Sequence, residues 1–162
     1  MRTLYHDTMR VGTEIESKFA AEFVSFDRLL LESDFITLHV PLLPATRHLM
    51  NAQTLAKMKR TAFLVNTSRG PVVDEAALAE ALQAGKIAGA ALDVFEFEPT
   101  VTPALLAQKN VVLTPHIGSG SLETRTKMAV TAADNVVALF EGRRPPTILN
   151  PEVLGAHHAG QS

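Results

Sequence analysis

The stretches VNTSRGPVVDE (65–75), ALDVFEFEP (91–99) and VVLTPHIGSGS (111–121) decide how this chain is read. Each carries a short apolar run or continues one, and each delivers a polar residue beyond it: Arg69, Glu98 and His116. The runs 63–65, 88–92 and 111–113 read as buried strands of a parallel sheet, because a helical segment or a long excursion separates each from the next. In such sheets the carboxyl ends of the strands open on one edge, where ligands bind. Residues distant in sequence can therefore converge there. An arginine, a carboxylate and an imidazole on one edge suit acid/base chemistry on an anionic substrate.

The bulk properties bound the possibilities. The chain has 162 residues, 46% of them hydrophobic, which is enough for one domain with a sizeable core. A formal net charge of −2 gives no electrostatic case for nucleic acid or for an acidic membrane surface. The absence of cysteine excludes disulfides, thiolate metal ligands and a cysteine nucleophile. No apolar run is long enough to cross a bilayer, and MRTLYHDTMR (1–10) lacks the apolar core of a signal peptide, so a cytoplasmic protein is expected.

Outward from the central stretch, residues 2–6 read as a short strand ending at Asp7, and residues 22–25 as an edge strand. Ser25 suits the cap of a short helix through Leu30. Residues 35–40 read as a buried strand stopped by Pro41, which has no amide hydrogen for a ladder. A short helix is expected within 51–60, and a longer one over 74–84 with Asp74 as cap and Gly85 at its exit. Thr102 and Pro103 open another short helix, and Ser121 caps a long one closed by Gly142. Taken singly, the polar residues have ordinary explanations. Asp7 suits a turn, His39 a structural role, Arg69 a surface ion pair and Asp93 a cap. His157 and His158 fall in a Gly/Ala-rich end, and no metal site is assigned.

The ordered segments RTLYHD (2–7), ESDFITLHVPLLPATRHLMN (32–51), VNTSRGPVVDEAAL (65–78), GAALDVFEFEP (89–99) and VVLTPHIGS (111–119) closely resemble the D-isomer-specific 2-hydroxyacid dehydrogenases. That family includes glyoxylate/hydroxypyruvate reductases and phosphoglycerate dehydrogenase. Several dispersed motifs in the right order are far more specific than any one alone. The resemblance implies an α/β fold, a Rossmann-like doubly wound parallel sheet. It also implies that the sheet is incomplete here, because the first strand and the Gly-rich loop G-x-G-x-x-G precede the strand that RTLYHD matches. The chain is thus expected to be the carboxyl-terminal part of a longer enzyme. Residues 1–145 would form the partial nucleotide-binding domain, and 146–162 a tail returning toward a substrate domain.

By the same resemblance, Arg69 holds the carboxylate of a small 2-oxo or 2-hydroxy acid and polarises its carbonyl, as a planar guanidinium can do through two parallel hydrogen bonds. His116 is the general acid/base, and Glu98 its carboxylate partner, fixing the ring tautomer. Glu96 does not match that position. Asp7 meets the adenosine ribose and disfavours a 2′-phosphate, which points to NAD, while Thr8 and Arg10 leave NADP open. Val40 and Pro41 would wall the nicotinamide side, and Asp93 would contact its carboxamide. Thr67, Ser68, Arg69, His116, Gly118 and Ser119 complete the implied cofactor-binding set. The partners implied are a small 2-oxo acid and, in a full-length form, a second copy of the chain. Neither nucleic acid nor membrane is implied. A catalytically inactive fragment or a nucleotide-sensing interaction module of the same fold is the alternative. A methyltransferase-like doubly wound fold explains neither the ordered motifs nor the pairing of Glu98 with His116.

Overall fold

The computed structural model describes residues 1–156, so His157 and His158 lie outside the described residues. It forms two compact units, Met1–His116 and a second beginning at Ile117. The first unit holds every strand among the described residues. These are β1 (Thr3–Tyr5), β2 (Ala21–Phe23), β3 (Phe35–Leu38), β4 (Phe63–Asn66), β5 (Gly89–Leu92) and β6 (Val111–Leu113). All ladders are parallel. β3-β4-β5-β6 form a four-stranded sheet in sequence order, and β1 pairs only with β2 in a separate two-stranded sheet. The α/β Rossmann-like architecture expected from the sequence is thus present, with the ladder interrupted between β1 and β3.

Helices connect the strands: α1 (Thr13–Phe19), α2 (Phe26–Glu32), α3 (Ala52–Leu55), α4 (Glu75–Gln83) and α5 (Pro103–Leu106). The caps explain most boundaries. Ser25 accepts from the Arg28 amide, and Asp74 accepts from the Ala77 amide, each satisfying an orphan donor of a first turn. Asn51 and Thr54 form a reciprocal capping box on α3. Helix α4 ends where Gly85 adopts φ +60°, a left-handed conformation that favours glycine. Thr102 departs from its expected capping role. It makes no cap bond to α5, and its hydroxyl donates instead to Glu75 Oε2. Helix α1 lies in a segment, 11–21, whose apolar residues follow only a weak period. It buries no residue, so there was no apolar face to read.

The strands are covered on one face within this unit. Side chains alternate across a strand, and Ile36, Leu38, Leu64, Ala90 and Leu92 enter one core with Leu30, Leu55, Leu78, Leu82 and Leu105 from α2 to α5. The opposite face carries Phe35 (69% exposed) and Val112 (64%), with Phe35 stacked on Phe63 at 5.4 Å between ring centroids. The expectation of fully buried strands is corrected to this extent, because α2 to α5 all contribute to the same core. Gly89 sits beneath that stacked pair; a Cβ there would lie 2.9 Å from the Phe63 ring.

The second unit contains α6 (Leu122–Phe140), capped by Ser121, and the short α7 (Val153–Ala156). On α6 the apolar side chains of Val136, Val137 and Phe140 are exposed, whereas Ala138 is buried. Among the described residues, no helix is long and apolar enough to cross a membrane.

The one-sided core sets an asymmetry between neighbouring positions of β3. Ile36→Ala should lower unfolding free energy by about 2–4 kcal/mol through loss of packing. Phe35→Thr should change it by no more than about 0.5–1 kcal/mol, as at an exposed site. Urea unfolding of the two variants checks this, and equal losses would reverse the assignment of faces.

Candidate active site

The four strands of the larger sheet finish in register: Leu38 is aligned with Asn66, Asn66 with Leu92, and Leu92 with Leu113. The residues that follow each strand therefore emerge from one edge. After β3 come His39, Val40 and Pro41; after β4, Thr67, Ser68 and Arg69. Together with Leu42 these line a cleft of about 480 Å³. The cleft contains five of the residues proposed from sequence, Val40, Pro41, Thr67, Ser68 and Arg69. It also contains His39, whose Nε2 lies 2.9 Å from the Thr37 hydroxyl.

Asn66 shapes the arginine loop. It is fully buried, its side-chain oxygen accepts from the Ser68 amide (3.0 Å) and hydroxyl (2.9 Å), and its side-chain nitrogen donates to the Arg69 carbonyl (3.0 Å). Every polar atom is thereby satisfied inside the core. The Arg69 side chain is exposed and donates to the Ser68 carbonyl (2.6 Å). Immediately after it, Gly70 packs so closely on the next loop that a Cβ would stand 1.8 Å from the Phe95 carbonyl oxygen. Only glycine fits there.

The loop after β5 is held from several directions. The Asp93 amide donates to the Asn66 carbonyl (2.9 Å), and the buried Asp93 carboxylate accepts from the Thr114 hydroxyl (2.5 Å). Asp93 thus serves as a tie between strand ends. The Glu96 amide donates to Glu75 Oε1 (2.6 Å), while the Glu75 amide donates to Glu96 Oε2 (3.5 Å). His48 Nε2 lies 2.7 Å from Glu96 Oε1, and Arg47 is also within ion-pair range at 3.4 Å. Nothing in the sequence around His48 or Glu96 marks either as a partner of the other. The signal that pairs them is only their convergence in space, 48 positions apart.

Glu98 occupies the end of this loop. Its Oε1 accepts from the Phe95 amide (3.0 Å), and its Oε2 lies 3.0 Å from His116 Nδ1. The peptide bond between Glu98 and Pro99 is cis. The bond from His116, followed by the Phe95 amide, holds the Glu98 pKa below its ordinary value. An ionised carboxylate only accepts, so Nδ1 carries the hydrogen of this contact and Nε2 is the ring nitrogen left for chemistry. His116 reaches the position by adopting φ +53°, with its amide donating to the Thr114 carbonyl (3.0 Å). The Thr114 amide in turn donates to the Leu92 carbonyl (3.0 Å), anchoring this turn to β5.

Asp7 stands apart, at the end of β1 on the two-stranded sheet. Its Oδ1 accepts from the Thr8 amide (2.6 Å) and hydroxyl (3.1 Å). The Thr8 hydroxyl, then the Thr8 and Met9 amides, depress its pKa, keeping the charge at neutral pH. Gly118 and Ser119 belong to the second unit.

Residues 1–118 match the family model described as the D-isomer specific 2-hydroxyacid dehydrogenase, NAD binding domain. The chain belongs to this family. A glyoxylate reductase of Korarchaeum cryptofilum (strain OPF8) is 49% identical over 162 residues, covering 99% of this chain and 48% of the relative. The chain thus spans about half the length of the curated relatives it matches. Among solved structures, a D-mandelate dehydrogenase of Rhodotorula graminis superposes with a TM-score of 0.86 at 37% identity, covering 91% of this chain and 43% of that one. A D-lactate dehydrogenase of Lactobacillus jensenii with NAD+ gives 0.81 at 32%, covering 90% and 47%.

NAD is accordingly the cofactor of this family's domain, and the residues at these strand ends fit it. A cleft at the carboxyl edge of a parallel sheet, a charged Asp7 at the end of β1 and an imidazole past β6 suit a nucleotide laid across strand ends. No G-x-G-x-x-G occurs in the 162 residues.

Two outcomes test the geometry. Gly70→Ala should lower unfolding free energy by about 3 kcal/mol or more, because backbone must move to admit the methyl; wild-type stability in denaturant would contradict the close approach. In carboxyl-detected NMR, Glu98 should titrate below 4.5 and move back up toward it in His116→Gln. A depressed folded pKa means that this bond's stabilisation is present above the unfolded value and is lost as pH falls through the folded one.

Proposed function

We propose that this chain is the nucleotide-binding part of an enzyme that transfers hydride between NAD and a small D-2-hydroxy acid or 2-oxo acid of the glyoxylate or hydroxypyruvate type. Residues 1–145 would form that part, and 146–162 would lead toward a substrate domain. The observation that carries the reading is the Glu98–His116 pair, 3.0 Å apart and only partly buried, at the same strand edge from which the Arg69 loop emerges. An acid/base pair kept accessible to solvent and anchored on both sides suits proton transfer better than fold stability.

The nicotinamide supplies the hydride chemistry when bound, and the protein contributes orientation and charge. In the reducing direction the Arg69 guanidinium binds the substrate carboxylate and polarises the adjacent carbonyl. His116, bonded to Glu98 through Nδ1, donates a proton from Nε2 to the developing alkoxide. Glu98 holds the ring tautomer through its bond to Nδ1. Val40 and Pro41 exclude water on the nicotinamide side of the cleft, and Asp93 offers its carboxylate to the carboxamide. The names of the curated relatives support glyoxylate as the first substrate to try.

In a chain carrying the rest of the enzyme, His116→Ala should cut turnover by roughly 10²- to 10⁴-fold, the range for losing a general acid/base, with NADH affinity nearly unchanged. Stopped-flow turnover with glyoxylate and a fluorescence titration with NADH separate the two quantities. Equal loss in both would assign His116 to cofactor binding instead.

A further inference from the structure

The arginine that keeps NADP open in the sequence is already engaged. Arg10 Nε donates to Glu16 Oε1 and Nη2 to Glu16 Oε2, both at 2.8 Å, which is the two-pronged geometry of a strong guanidinium–carboxylate pair. The Glu16 side chain is only 12% exposed, and it also accepts from the Tyr5 hydroxyl (2.7 Å). That hydroxyl in turn accepts from the Val11 amide (3.1 Å), so the loop from Asp7 to Gly12 is tied to β1 at both ends. The Arg10 guanidinium carbon lies 6.0 Å from the Phe23 ring centroid, and Tyr5 packs on the same ring at 5.3 Å. Arg10, followed by Tyr5, holds the Glu16 pKa down at about 2, so this carboxylate is charged wherever the protein is folded at ordinary pH.

We infer that Glu16 is a specificity-determining residue for the cofactor: by occupying both prongs of Arg10 it withdraws the nearby cation that a ribose 2′-phosphate would need, leaving Asp7 to select NAD. This rests on the reading of Asp7 as the residue that meets the adenosine ribose. Arg10 lies three positions beyond Asp7 on the same loop. A 2′-phosphate arriving there meets the Asp7 charge and finds its nearest arginine paired. The preference thus has two parts, a repulsion at Asp7 and a sequestration at Glu16, and they fail separately.

The test is a fluorescence titration of the 162-residue chain with NADH and with NADPH, for wild type, Glu16→Gln, Glu16→Gln/Arg10→Gln and Asp7→Asn. Glu16→Gln should tighten NADPH relative to NADH by about tenfold, the size of one new charge-assisted contact. The double variant should lose that gain. Glu16→Asp keeps the charge but shortens its reach by a methylene, and should shift the ratio in the same direction, giving a second measure if Glu16→Gln fails to fold. Asp7→Asn should weaken NADH. If it does, and neither Glu16 variant changes the ratio, the sequestration is wrong while the ribose placement stands. If Asp7→Asn leaves both cofactors unaffected, the ribose lies elsewhere and both parts fall. A gain that persists without Arg10, or no saturable binding by any of the proteins, also overturns the inference.

Discussion

The alignment of four strand ends at Leu38, Asn66, Leu92 and Leu113 is the constraint on which the candidate site depends. A parallel ladder fixes how far each strand runs before its chain must turn, and here all four turns begin at one level. Shifting one strand by a residue would exchange its core and outer faces. For β4 that would lift Asn66 out of the core and put Val65 in its place, undoing the loop that Asn66 templates. The apolar alternation of β3 and β4 and the position of the proposed site are therefore set by the same register.

Register brings the loops to one edge but does not hold them against each other. That role falls to a small set of polar ties: the Asp93 amide on the Asn66 carbonyl, the Thr114 amide on the Leu92 carbonyl, the Thr114 hydroxyl on Asp93, and the exchange of amide bonds between Glu75 and Glu96. The missing side chain of Gly70 allows the loops after β4 and β5 to touch through their backbones. Buried polar groups are costly unless satisfied; Asn66 is satisfied by Ser68 and Arg69 of the loop it opens, and Glu75 by the Glu96 amide and the Thr102 hydroxyl. Breaking one tie leaves its partner unpaired, so the edge behaves as a unit.

The sequence carried a good deal of this because its signals were local. Cap residues such as Ser25, Asp74 and Ser121 act within one turn, and all three do so here. Motif order identified Arg69, Glu98 and His116 as the residues to watch, and the Glu98–His116 bond forms. Illegible were the interactions whose partners lie far apart. Asn66 reads as a turn former, and its burial depends on β4 lying between β3 and β5. His48 and Glu96 meet only because Met50 bridges to Val73 and the loop after β5 returns to the start of α4. The exposed Phe35, Phe63 and Val112 were misread as core because short apolar runs do not say how many faces will be covered.

Three glutamates in this unit show why residue type alone underdetermines role. Glu75 is almost fully buried; it accepts a backbone amide and a threonine hydroxyl, and it belongs to the scaffold. Glu16 is largely covered and spent on an arginine. Glu98 is also anchored, by the Phe95 amide, yet its second oxygen is given to an imidazole, and both members of that pair stay partly open to solvent. A carboxylate whose oxygens are all committed to fixed donors stabilises one conformation and can do little else. One that gives an oxygen to an accessible ring, on a loop locked from behind, fixes that ring while leaving its other nitrogen open. A positioned and accessible imidazole is what the proposed general acid/base chemistry requires, and among these three glutamates only Glu98 holds one.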